Sequence, residues 1–450
     1  MAYEYEDVRV PKRILNTLLA SLSAGVVPRI GAPYIAIGRQ DEINSLLDSL
    51  NEARAGGAFC RFLIGKYGSG KSFLIQLIRG YALENNFVCA DADLTPERRL
   101  VGSSGSGLAT YRELMINLST KASPDGNALT TVLSRHLETL KNELVGEGIM
   151  PDNPIFESEL KSRVYQVLYE LEAEVGGFDF ARVLAEYYMA SISDDGERKS
   201  AALKWIRGEY ATKTEAKAAL GFPVSTVIDD DNWYSFLKLI SSLAVRLGYS
   251  GLIVFIDECV NLYKIPNRIS REANYEKLLS VFNDTLQGKA RNFGVIFGGT
   301  PQFLEDTRRG LFSYEALKSR LADSAYLGAG YRSLEAPVIR LRTLSPSELL
   351  ALVKRLNRLF MQKHGLSTPV IDEGQSLEFI NKALSRAGAA ELITPREVIR
   401  DYLTVLSILK DNQNVSFEEL LEKNTNTAEP QRDSISEKEI KKINIFDIDI

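Results

Sequence analysis

The stretch FCRFLIGKYGSGKSFLIQLI, residues 59–78, decides the fold. It opens as an unbroken apolar run, which reads as a buried strand. It then turns through glycines and continues with helical periodicity from Ser72. Residues 65–72, GKYGSGKS, fit G-x-x-x-x-G-K-[ST] at every fixed position. Gly65, Lys66, Tyr67, Gly68, Ser69 and Gly70 can wrap an anion so that successive backbone N–H groups point inward. The helix that follows adds its positive N-terminal end. Lys71 is expected to reach the β- and γ-phosphates of a nucleotide. Ser72 is expected to place its hydroxyl on Mg²⁺, with Phe73 closing the segment. ATP and Mg²⁺ are the ligands this chemistry implies.

Outward from this loop, four further strands are expected at FVCADADL (87–94), GLIVFIDE (251–258), NFGVIFGGT (292–300) and PVIRLRTL (337–344). Helical patterns separate them, so the fold class is α/β with a five-stranded parallel sheet. In such sheets ligands bind beyond the strand C-termini. GLIVFIDE delivers two carboxylates there. Asp257 is the metal-holding acid, and Glu258 is the residue that polarises an attacking water. Thr300 closes the next strand, where it can bond the γ-phosphate or water, or cap a helix starting at Pro301. Phosphoryl transfer recruits arginine, and Arg308, Arg309, Arg320 and Arg396 are the candidates. Thr394 and Pro395 mark a helix start that puts Arg396 in the first turn.

These residues resemble the AAA+ ATPases, in particular the branch of the origin-loading proteins. IGRQDEI (37–43), the phosphate loop, IDE, Thr300 and the Pro395–Arg396 pair carry the resemblance. It implies that Ile37, Gly38 and Arg39 lie near the adenine. It gives Thr300 and Arg396 two nucleotide-sensing roles, and makes Arg320 the finger offered to a neighbouring subunit. Five longer segments resemble the BrxD family of ATP-binding proteins from BREX phage-defence islands. They are SAGVVPRIGAPYIAIGRQDEI, GKYGSGKSFLIQLI, DADLTPERRL, GGTPQFLEDTRRGLFSYEALKSRL and ITPREVIRDYL. That resemblance implies a bacterial anti-phage ATPase working as a homo-oligomer on double-stranded DNA with a helicase-like partner.

The expected organisation is an N-terminal lead (1–36), an ATPase core (37–344), a helical lid (345–412) and a tail (413–450). The span from Lys71 to Asp257 far exceeds what a minimal core needs, so residues of about 100–245 should form a helical insertion. Its lysines and arginines are matched by acidic residues, which reads as a solvated surface. GSSGSG (102–107) is a flexible loop with a weaker claim to bind phosphate.

Composition sets the outer limits. The 450 residues carry 54 Lys+Arg and 59 Asp+Glu, a net charge of −5, so the chain as a whole is no basic nucleic-acid coat. No apolar run approaches the ~18 residues of a membrane span, and the N-terminus does not read as a secretory signal. Three cysteines without a C-x-x-C pair read as buried, reduced thiols of a cytoplasmic protein. Two distant histidines make a zinc site improbable. The alternative to a DNA-associated ATPase is a nucleotide-gated switch that binds a protein partner and not DNA.

Overall fold

The structure, a computed structural model, describes residues 9–102, 105–169, 171, 176–324, 333–385, 394–412 and 414–422. Its five strands are β1 (Ala58–Gly65), β2 (Val88–Asp93), β3 (Leu252–Asp257), β4 (Phe293–Gly299) and β5 (Val338–Leu341). They form one parallel sheet in the order β2-β3-β4-β1-β5. Each expected strand is present, β5 being shorter than its apolar run. Strand β4 lies between the acidic strand β3 and the phosphate-loop strand β1, so the strand closed by Thr300 is next to the acidic strand, as expected. Strand order depends on long-range pairing, which local pattern does not encode.

The chain divides into two compact units. The first comprises Met1–Leu46, Ile64–Gly80 and Ile339–Ile450. Its core gathers the helices Lys12–Ser23, Pro346–His364, Glu373–Ser385 and Pro395–Asp411. Leu15, Leu18, Leu19 and Leu22 recur at helical spacing and are buried against Val353, Leu356, Tyr402 and Leu406. The N-terminal helix therefore shares its core with the helices of the expected lid. Ser345 and Thr394 each form a capping box, with Glu348 and Glu397 respectively, and each is followed by proline at the first helical position. Phe417 and Leu421, on the short helix Phe417–Glu422, are buried in the same core. Of the expected tail, 413–450, residues 413 and 423–450 lie outside the described residues.

The second unit, Leu47–Leu63 with Tyr81–Val338, holds β2, β3 and β4. β2 and β3 pair in register from Val88↔Leu252 to Asp93↔Asp257. β3 and β4 pair from Leu252↔Phe293 to Ile256↔Phe297. Every residue of β3 and β4 is buried, which is why these strands read as continuous apolar runs. Among the described residues seven helices lie between Ser106 and Arg246, where the insertion was expected. Its last helix, Trp233–Arg246, is tied to the sheet region. Trp233 Nε1 donates to Leu100 O at 2.9 Å, Lys238 pairs with Asp284 at 2.9 Å, and Tyr234 packs edge-on against Phe293. Several insertion cations are answered by carboxylates: Lys141 by Glu138, Lys161 by Glu157, Arg163 by Glu147 and Arg198 by Glu186. All three cysteines are buried and unpaired with one another. Burial pushes the Cys60 and Cys259 thiols up, so both stay protonated.

Candidate nucleotide site

In the first unit, β1 ends at Gly65 and a helix begins at Lys71 (Lys71–Glu84), as the loop motif requires. Gly68 and Gly70 sit at φ 77° and 92°, a region other residues enter only with strain. Gly68 has a second reason to be glycine. A Cβ there would lie 2.2 Å from Thr394 Cγ2, so the capping residue of the Pro395–Asp411 helix packs directly on the loop. At Gly70, by contrast, a Cβ would meet nothing within 4 Å. The space on the side-chain side of Gly70 is therefore empty.

Lys71 Nζ donates to two carbonyls of its own loop, Gly65 O at 2.9 Å and Lys66 O at 3.1 Å. Its ammonium is thus held at the mouth of the loop. Tyr67 is exposed, and Phe73 packs against the lid core. Ser72 stands one residue into the helix, where its hydroxyl can serve a cation beside a bound phosphate. Arg396 is exposed in the first turn of the Pro395–Asp411 helix, two residues past the cap that touches Gly68.

The segment IGR is built into the same unit. Ile37 packs on the lid core. Gly38, at φ 72°, is so close to Glu348 that a Cβ would fall 2.6 Å from its carboxylate. Arg39 is 4% exposed, and its Nη2 donates to Ser69 O at 2.8 Å and Arg342 O at 2.7 Å. Glu42 lies 3.6 Å from its other terminal nitrogen. The Arg342 guanidinium in turn forms a two-pronged pair with Glu348. Burial alone would raise the Glu348 carboxyl, but Arg342 and the Ser345 N–H hold it below the usual carboxylate range.

In the second unit, β3 ends at Asp257, which is 8% exposed. Glu258 follows in the left-handed region, at φ 56°, and donates its N–H to Asp257 Oδ1 at 2.8 Å. A non-glycine residue held there stores strain, and such strain clusters at functional sites. The Cys259 N–H donates to Gly298 O on β4, which fixes the turn from behind. Asp93 is the acidic residue the sequence reading missed. It ends β2 in register with Asp257. Desolvation and the neighbouring Asp257, Glu258 and Asp91 charges raise its pKa, against the pull of Arg98. The DAD that closes β2 was the available signal.

Among the described residues no three acidic, His or Cys side chains converge on a metal. Asp93, Asp257 and Glu258 together make the strand ends of the second unit acidic.

Thr300 caps the Pro301–Glu305 helix, its Oγ1 accepting the Phe303 N–H at 3.3 Å. The capping alternative thus holds, and it uses a lone pair and not the hydroxyl proton. Arg309 is occupied within its own unit. It bonds Lys264 O and Ile265 O and lies over the Tyr263 ring. Arg308 and Arg320 are exposed, with Arg320 bonded to Ala316 O and Asn283 Oδ1. GSSGSG carries no phosphate cradle in its described part. The Asp230 carboxylate takes the Gly102 and Leu108 N–H groups at 3.1 and 2.7 Å, and Ser103 and Ser104 lie outside the described residues.

A parallel α/β sheet whose first strand turns through GKYGSGKS into a helix defines a P-loop nucleotide-binding protein. More narrowly, the chain belongs to the BREX system ATP-binding protein BrxC/D family, whose model matches residues 10–425. No curated protein matches the chain. Among the described residues no helix is long and apolar enough to cross a membrane.

Proposed function

We propose that this chain binds and hydrolyses ATP as a cytoplasmic component of a BREX-type phage-defence system. In this reading it acts on double-stranded DNA as a homo-oligomer beside a helicase-like partner. The observation that carries the nucleotide reading is the phosphate loop packed under Thr394, since it joins the phosphate cradle to the helix that bears Arg396. The loop N–H groups and Lys71 bind the β- and γ-phosphates. Ile37 and Gly38 border the base. Ser72 and Asp257 would hold Mg²⁺, which would supply charge neutralisation on the transferring phosphoryl group.

Glu258 orients water and takes its proton. Thr300 donates its hydroxyl proton towards the γ-phosphate or that water. Arg396 reports γ-phosphate occupancy to the lid. Arg320, exposed on its helix, serves the nucleotide of a neighbouring subunit, and Arg308 is its competitor for that role.

A specific observation favours the second reading, a nucleotide-gated switch without DNA. Several cations of the insertion are answered by carboxylates, and the net charge is −5. The particle mass of Glu258→Gln with ATP and Mg²⁺, with and without duplex DNA, separates the two. A DNA-bound assembly that dissolves without ATP supports the ATPase on DNA. A monomer or dimer that ignores DNA supports the switch. Weakening of any DNA binding by salt would report phosphate neutralisation.

A further inference from the structure

Arg39 presents a problem that its resemblance-based role does not solve. A buried guanidinium is costly unless its donors are satisfied. Here one terminal nitrogen is committed to two backbone carbonyls, Ser69 O and Arg342 O. Both acceptors are informative. Ser69 O belongs to the peptide that joins Ser69 to Gly70. A trans peptide holds its C=O and N–H on opposite sides of the same plane, and no cis bond occurs here. Fixing Ser69 O towards Arg39 therefore turns the Gly70 N–H the other way. Gly70 is at φ 92°, and a Cβ there would meet nothing within 4 Å. A glycine after this peptide lowers the barrier to its rotation, and no neighbour occupies the space of a Gly70 side chain.

We infer that Arg39 is a positioning residue that locks the Ser69–Gly70 peptide with its N–H turned to the phosphate side, and that it ties this peptide to the lid hinge. The second acceptor supplies the tie. Arg342 directly follows β5, and its side chain grips Glu348 in the first turn of the Pro346–His364 helix. Glu348 also caps that helix through the Ser345 N–H at 2.7 Å. Gly38, beside Arg39, leaves no room for a side chain against Glu348. A shift of the lid's first turn is thus transmitted to Arg342, then through Arg39 to one phosphate-binding amide. Arg39 acts on phosphate through the backbone and not on the base. The inference rests on the nucleotide reading proposed above.

The test is binding of tripolyphosphate, Mg-ATP and Mg-GTP to the full-length wild type and to Arg39→Lys. Lysine keeps the charge but lacks the planar fork. The expected result is a loss of about tenfold or more for all three ligands. The ATP-to-GTP ratio should stay unchanged. Selective loss of ATP with intact tripolyphosphate binding would overturn the inference and make Arg39 an adenine contact. Unchanged binding of all three would overturn it as well. A wild type that binds none of them would overturn the nucleotide reading itself.

Hydrogen exchange on the wild type covers the case of a variant that does not fold. Tripolyphosphate alone should protect residues 66–72, 39–46 and 342–348 together. Protection of residues 37–42 by adenosine alone, with none from tripolyphosphate, would contradict the lock.

Discussion

Two glycine- and serine-rich loops in this molecule lead into helix N-termini, and they have opposite fates. GKYGSGKS runs into the helix at Lys71, whose ammonium is held at the loop mouth, and a Cβ at its Gly70 would meet nothing within 4 Å. GSSGSG opens the Ser106–Ile116 helix, but Asp230 already occupies the amides of Gly102 and Leu108. A helix N-terminus attracts anions in either case. What separates a ligand site from a structural cap is whether the chain provides its own carboxylate. The first loop brings a cation and leaves the anion to be supplied from solution. The second brings the anion itself.

The largest expected effect sharpens this contrast on the side of chemistry. Glu258→Gln should lower ATP turnover by ~10²–10⁴-fold, the usual span for a lost general base, while ATP binding persists. Normal turnover, measured by phosphate release, would put the base elsewhere. Next, Lys71→Ala should weaken ATP binding by ~100-fold. If binding survived, the two loops would not differ in the way described. For Arg320, mixing Arg320→Ala with Lys71→Ala chains should restore part of the activity each lacks. Mixed oligomers without rescue would assign the finger to another arginine.

The second loop gives a smaller effect of a different kind. Asp230→Ala leaves two amides without their acceptor and should cost about 1–3 kcal/mol of stability. Its affinity for ATP should be unaffected. A denaturant melt together with an ATP titration checks both halves, and a variant that gained phosphate binding would show that only Asp230 keeps the loops apart.

The smallest effect concerns the insertion alone. His136 is held neutral by burial, its pKa lowered from 6.5 to about 4, with Nδ1 3.0 Å from the Tyr188 hydroxyl. The unfolded chain takes up that proton at higher pH than the folded one. Its contribution to stability is therefore complete above about pH 6.5 and falls away towards pH 4. The melting temperature of wild type should drop more steeply across that window than that of His136→Gln.

The phosphate loop and its strand–helix context were legible because all their residues are contiguous. The same holds for Arg396, whose place in a first turn follows from Thr394 and Pro395. Asp257 and Glu258 were legible because four apolar residues run straight into them through Ile256. Asp93 was not, since its meaning comes from a register partner far away in the chain. Asp230 was silent for the same reason, as its acceptor role depends on amides more than a hundred residues earlier. Arg39 shows a different limit. Its partners are backbone carbonyls, which no side-chain motif records. The place of the N-terminal helix in the lid core is likewise a matter of long-range packing.

The central claim is that GKYGSGKS holds ATP, and calorimetric titration of Mg-ATP into Glu258→Gln and into Glu258→Gln/Lys71→Ala tests it most directly. The account predicts saturable binding near one ATP per chain in the first protein and little or none in the second. Equal binding in both would contradict it.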